Sequence, residues 1–280
     1  MKDWPVPINN VQSEVLRAIA KHRDPESFVA GGVPINRDGP RFSKDIDIFH
    51  DRMERVVEAA DRDAVTLKAE GFAVNWLRRL PTIIGAEISK NGETTKLEWV
   101  ADSDFRYFPA VPDTQFGFVL SIVDLAVNKL MAAVGRREPR DVVDLLTLHE
   151  TRFPLGAIVW AAVEVAPGFT PEGLLAELRR NTRYCAADFR QLAVAEPLDI
   201  DVVANRIRGM LGAAEAFVAQ MPSEKAGRVF LKDGQPVEPD PANLAAYVEH
   251  APARRGHWPT SPEIERAMLE RYLSGNTAPR

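Results

Sequence analysis

From Phe28 to Asp51 the chain reads FVAGGVPINRDGPRFSKDIDIFHD, a glycine pair followed by a spaced pair of aspartates inside an apolar run. Asp45 and Asp47 alternate with Ile46 and Ile48 ahead of Phe49, the period-2 pattern of a half-buried strand. Both carboxylates therefore leave one face, about 7 Å apart at Cα. Hard divalent cations take carboxylate oxygens, so this pair is a candidate metal holder. Ser27 to Ala30 reads as a short strand that runs into Gly31 and Gly32. Two residues without Cβ let backbone N–H groups approach an anion closely, which makes the following turn a candidate phosphate cradle. Phosphate cradle and carboxylate pair together point to nucleotide chemistry.

Ser121 to Glu150, SIVDLAVNKLMAAVGRREPRDVVDLLTLHE, reads as two amphipathic helices joined at Gly135 to Pro139. Ile122, Leu125, Ala126, Lys129, Leu130 and Ala133 share one helical face. Lys129 thus falls inside the apolar stripe, where it needs an anionic partner. Asp141 and Asp144 lie one turn apart on the face that carries Leu145 and Leu148, and turn partly inward. Arg137 with Asp141 and Arg140 with Asp144 have i,i+4 spacing, which predicts pairing along the helix.

The first block resembles the opening motif of the DNA polymerase beta-like nucleotidyltransferase superfamily, in which a Gly-Gly or Gly-Ser pair precedes an Asp-hydrophobic-Asp strand. Here Val33 to Lys44 separate Gly32 from Asp45, a spacing within that family's window. The second block, D-L-x-x-x-K-L-x-A followed by R-D-x-x-D-L, is similar to the AbiEii-type nucleotidyltransferases, toxins of bacterial abortive-infection and toxin-antitoxin systems. The resemblance implies transfer of a nucleoside monophosphate from an NTP to an acceptor, a transfer RNA end or a protein, under a cognate antitoxin.

It further implies a pair of Mg2+ ions held by Asp45, Asp47 and a third carboxylate from a neighbouring strand. Gly31, Gly32 and the Ser43 hydroxyl would hold the β- and γ-phosphates, and Lys129 would neutralise the triphosphate. Asp141 would orient Lys129 or accept a proton from the acceptor, braced by Arg140 and Asp144. Arg41 and Lys44 are close enough in sequence to assist, although both read as solvent-exposed. A catalytically silent nucleotide-binding module and an antibiotic-modifying enzyme are the other readings these residues allow.

Between the two blocks, Met53 to Glu70 has helical spacing and stops at Gly71. Phe72 to Leu77, Thr82 to Ser89 and Thr95 to Val100 are β-rich runs, the last two joined through Asn91-Gly92, a hairpin signature. Glu98, between Leu97 and Trp99, is the candidate third carboxylate, with Glu87 on the hairpin partner as its competitor. The expected fold is α+β: a nucleotidyltransferase-like mixed sheet with helices over residues 1–118, then a mainly helical domain over 119–280 that carries the lysine and Arg-Asp motifs.

In the second part, Leu155 to Val165, Pro171 to Asn181, Cys185 to Ala195 and Asp199 to Gln220 predict helices, with prolines as breaks. Arg228 to Pro236, centred on Asp233-Gly234, predicts a hairpin. Asn243 to His250 and Pro262 to Leu273 predict two further helices, and Gly275 to Arg280 a frayed end.

A chain of 280 residues with 45% hydrophobic content can bury a sizeable core. The single cysteine, Cys185, excludes an intramolecular disulfide and reads as a small buried thiol. The start MKDWPVP lacks the apolar core of a secretory signal, and the longest apolar stretch, Leu155 to Val163, is too short to span a bilayer. The expectation is a cytoplasmic protein with no membrane contact.

The net charge is −5, with 20 Lys+Arg against 24 Asp+Glu in residues 1–150 and 15 against 16 in the remainder. Neither part is basic, so broad polyanion binding is excluded and any RNA contact must be local. Arg78-Arg79, Arg136-Arg137, Arg179-Arg180 with Arg183, and Arg254-Arg255 are the candidate patches. His22, His50, His149, His250 and His257 are scattered without zinc-ligand spacing, and there is no P-loop.

Overall fold

The computed structural model describes residues 8–254. The helix expected over Pro262 to Leu273, the frayed end from Gly275, His257 and Arg255 lie outside the described residues.

Seven strands form one mixed sheet: β1 (Ser27–Ala30), β2 (Asp45–His50), β3 (Ala73–Leu80), β4 (Ile83–Lys90), β5 (Glu93–Ala101), β6 (Val111–Asp113) and β7 (Gly117–Val119). Their order is β3-β4-β5-β2-β1-β7-β6. The Asp-bearing β2 occupies the middle, antiparallel to β1 and parallel to β5. Asn91 and Gly92 both take positive φ, 53° and 83°, as the tight β4–β5 hairpin requires. The two strands the sequence does not announce, β6 and β7, are three residues each, too short for a periodic pattern.

α1 (Asn10–Ile19) and α3 (Glu54–Ala69) cover one face of the sheet; a third helix, α2 (Gly32–Ile35), is a single turn after β1. α1 starts with a reciprocal cap between Asn9 and Gln12. Val15, Leu16, Ile19, Val56, Ala60 and Leu67 pack on Ile46, Ile48, Leu97 and Trp99 in one buried cluster. Each large side chain so buried contributes about 1.5–3 kcal/mol. The even-numbered residues of β2 are thus locked inward, and the odd-numbered Asp45, Asp47 and Phe49 must face the other side.

That other side meets the helical part: α4 (Ile122–Gly135), α5 (Pro139–Thr151), α6 (Leu155–Ala162), α7 (Pro171–Asn181), α8 (Ala186–Arg190) and α9 (Ile200–Val218). Every residue of α6 is buried, and α4 and α9 pack against it. Phe28 and Ala30 of β1 share this second core with Leu125, Ala126 and Leu130 of α4. A small sheet of β8 (Val229–Lys232), β9 (Gln235–Val237) and β10 (Val248–His250) in the order β10-β8-β9 completes it. No helix among the described residues is long and apolar enough to cross a membrane.

Three sequence expectations are corrected here. Asn243 to His250 is not a helix: a 3-10 turn over Pro241–Ala246 leads into β10, which pairs with β8. His250 is held there by stacking on Phe108 at 4.5 Å and by Nε2 at 2.6 Å from the Tyr107 carbonyl, tertiary contacts that outweigh local propensity. The helix expected from Cys185 to Ala195 ends at Arg190, because the following residues leave it to pair with another loop. Phe42 N–H donates to the Ala193 carbonyl (2.8 Å) and Ala195 N–H to the Pro40 carbonyl (2.9 Å). Cys185 itself is exposed, not buried, and caps α8.

Candidate active site

One cleft of about 280 Å³ lies between the odd face of β2 and α4, lined by Gly31, Gly32, Arg41, Ser43, Asp45, Asp47, Glu98, Lys129, Arg136 and Arg140 among others. Strand register sets its floor: Asp47 stands opposite Ala30 on β1 and opposite Glu98 on β5. Gly31 has φ 68°, and a Cβ there would lie 2.1 Å from Asp47 Oδ2. At Gly32 a Cβ would lie 2.5 Å from Arg41 Nη2. Both positions thus need glycine, the first for backbone conformation as well as space. The Ser43 hydroxyl lines the cleft and donates to the Asp45 carbonyl at 2.9 Å.

Burial, then the negative charges of Glu98 and Asp45, push the Asp47 carboxyl up to about 6. Lys129 and Arg140 counter this only in part. The nearest cation to Asp45 is Arg140, 3.8 Å away, and its buried Nε has no hydrogen-bond partner. Asp47 therefore carries like-charge repulsion that no ion pair among the described residues relieves. Hard oxygen donors with unrelieved mutual repulsion suit a divalent cation such as magnesium. As they stand, no three His, Cys, Asp or Glu groups converge as a metal cluster among the described residues. The Glu98 carboxylate is engaged by Arg78 and by Lys96, each at 2.9 Å. Glu87 stands opposite Lys96 on β4, exposed and apart from the cleft.

The helical wall is a buried charge network. Lys129 Nζ lies 3.0 Å from Asp141 Oδ1 and 3.0 Å from Asp144 Oδ2. Asp141 also accepts from Arg136 Nε at 2.8 Å. Asp144, fully buried, accepts from Arg41 Nε and Nη2 at 2.8 Å each and from Asn36 Nδ2 at 2.7 Å. Burial pushes both carboxyls up, but these cations outweigh it and hold each below the usual carboxylate range. Asn36 in turn donates to the Gly32 carbonyl at 3.0 Å, which ties the network to the glycine turn.

The anionic partners expected for Lys129 are thus Asp141 and Asp144. Neither i,i+4 pair forms. Arg137 precedes the helix, whose N-cap is Glu138, so it has no helical spacing to Asp141. It bonds instead to the Arg183 carbonyl and Asp188, and Arg136 takes Asp141. Asp144 faces the buried side and is satisfied by Arg41, which leaves Arg140 to point at Asp45. Arg41 is itself 5% exposed, not solvated as its composition suggests. Asn36 is the network residue that the sequence pattern does not single out; the pattern offers Arg41 only as a nearby cation and Arg136 only as half of a basic patch, and gives neither its aspartate partner.

A family model described as nucleotidyl transferase AbiEii toxin, type IV toxin-antitoxin system, matches residues 15–216. No curated protein sequence matches the chain. Among solved structures, MenT4, a nucleotidyltransferase toxin from Mycobacterium tuberculosis H37Rv, is similar over 95% of this chain and 91% of its own, with TM-score 0.54 and 15% identity. The Cid1 poly(U) polymerase is a remote likeness, with TM-score 0.26 and 12% identity over 74% of this chain and 87% of its own.

Proposed function

Because this chain belongs to the AbiEii nucleotidyltransferase toxin family of type IV toxin-antitoxin systems, we propose that its cleft transfers a nucleoside monophosphate from a nucleoside triphosphate to an RNA acceptor, with magnesium. The observation that carries this reading is the pairing of an electrostatically unrelieved Asp47 with a cationic wall across one cleft.

Asp45 and Asp47 would hold the metal, with Glu98 as the third carboxylate. Bound magnesium supplies Lewis-acid polarisation of the phosphoryl oxygens and a more acidic attacking hydroxyl. Lys129, Arg41 and Arg136 carry three positive charges against the two of Asp141 and Asp144, so the wall keeps a net positive charge toward the triphosphate. Arg140, which lines the cleft and lies 3.8 Å from Asp45 and 3.9 Å from Glu138, adds a further cation on the same side. Gly31 and Gly32 bring backbone within reach of the phosphates. Such fixed charges need no reorganisation as negative charge develops, which is the main source of rate enhancement in phosphoryl transfer. Asp141, held ionised by Lys129 and Arg136, orients the lysine.

The test incubates the full chain with magnesium, each labelled nucleoside triphosphate, and total RNA or total protein. Label in RNA that disappears with Asp47→Ala supports the reading. Label in protein redirects the acceptor, and binding without label refutes transfer.

A further inference from the structure

β3, β4 and β5 continue the central sheet outward from the cleft, and on the cleft's side Asn75, Arg78, Leu80 and Glu87 are exposed. Strand register aligns Asp47, Glu98, Gly85 and Arg78 in one row across four strands. Gly85 has no side chain, so Arg78 reaches over its strand to Glu98 at 2.9 Å. Lys96, two residues before Glu98 on the same face, reaches it at 2.9 Å as well. The carboxylate is 15% exposed, the two cations 45% and 39%. The cations are thus accessible to a ligand from solvent, while the carboxylate faces the floor.

Resting on the transferase reading above, we propose that this open sheet face seats the RNA acceptor, whose phosphates draw Arg78 and Lys96 off Glu98 and so free that carboxylate for the metal beside Asp47. Half-exposed ion pairs are weak, and a polyanion that offers several phosphates competes for their cations. A freed Glu98 beside Asp47 increases like-charge repulsion, which a divalent cation relieves. Metal and acceptor binding are then coupled through one side chain. A polynucleotide fits better than an acidic protein because Leu80, 51% exposed, follows Arg78 on this face and offers an apolar surface for bases beside the phosphate-binding cations. On a chain of net charge −5, such contact has to be local.

The test measures Mn2+ affinity by electron paramagnetic resonance, with and without total transfer RNA, after subtraction of an RNA-only titration. It compares wild type, the Arg78→Gln/Lys96→Gln double variant, and Arg79→Gln, a control whose charge is spent on Asp61. The double variant is expected to bind Mn2+ roughly tenfold tighter without RNA, in the range of outer-sphere effects on metal sites. RNA should tighten Mn2+ binding in wild type and leave the double variant unmoved. Glu98→Gln added to the double variant should erase its gain. RNA affinity, read by fluorescence anisotropy, should fall in the double variant, with a salt slope smaller by about 2. Equal Mn2+ affinity in wild type and double variant, the same gain from Arg79→Gln, or unchanged RNA binding overturns the proposal. Failure of label transfer from every nucleoside triphosphate, with these responses intact, refutes the transferase reading alone; transfer without these responses refutes this proposal alone.

Discussion

The Arg41 guanidinium and the Asp144 carboxylate, 103 residues apart, meet in a buried two-pronged pair at 2.8 Å per contact. A pair of this kind is costly to break from one side, because the survivor is a buried charge with no counterion. Asp144→Ala strands Arg41 and weakens the hold on Lys129, and should cost about 3–5 kcal/mol in urea unfolding. Asp144→Asn keeps an acceptor for Arg41 and should cost clearly less. Equal losses would mean that packing, not charge, governs this site.

Asp47 should trade stability for function. Its carboxyl is raised to about 6 from an ordinary value of 3.8. A folded-state value above the unfolded one means that the ionised form weakens the fold above about pH 6, and that the penalty vanishes below 3.8. Asp47→Asn in the presence of EDTA should therefore raise Tm at pH 8 by several degrees, on the order of 2–4 °C per kcal/mol relieved. The gain should shrink as pH falls toward 4, while nucleotide transfer is lost at every pH.

Gly31→Ala tests the glycine turn. Its Cβ would overlap the Asp47 carboxylate at a backbone conformation of φ 68°. Displacement of Asp47 should lower transfer at least 100-fold, about 2.7 kcal/mol or more in barrier, with a far-ultraviolet circular dichroism spectrum close to wild type. Gly92→Ala, also at positive φ but with open space around it, should lose only stability.

His50 gives the chain an acid-sensitive point away from the cleft. It is fully buried on the opposite face of β2, and neither ring nitrogen has a hydrogen-bond partner. Burial, then the positive Arg23 and Arg55, lower its pKa from 6.5 to about 3. The unfolded chain binds a proton below pH 6.5 that the folded chain refuses, so stability falls as pH drops through that window toward 3. One proton contributes up to about 1.4 kcal/mol per pH unit. His50→Phe should flatten the stability profile between pH 6.5 and 4.5; an unchanged slope would assign the acid loss to other groups.

The parts of the site that the sequence makes legible are those fixed by local period. Asp45 and Asp47 alternate with buried isoleucines, so one strand decides their face. Lys129 sits within an apolar helical stripe, and its burial follows. α1 carries the same kind of signal, Asn9 and Gln12 at capping-box spacing and Val11, Val15, Leu16 and Ile19 at helical intervals, but it is not among the helices expected from the sequence. What local pattern does not contain is partner choice. Arg41 lies in a polar loop that looks solvated, and only the fold reveals that Asp144 is its counterion. Arg136 and Arg137 are adjacent arginines, distinguished by where the helix begins. Glu98 is readable as a strand residue on the correct face, but its engagement by Arg78 depends on Gly85 of the neighbouring strand β4, over which the arginine reaches.

The two backbone bonds between residues 40–42 and 193–195 also set a schedule. The loop that carries Arg41 is made early in synthesis, and the segment that fastens it emerges only after α4 to α8 have been translated. Contacts so distant along the chain close late in folding. A nascent molecule therefore carries both aspartates and Lys129 before the segment that fastens the Arg41 loop has been made.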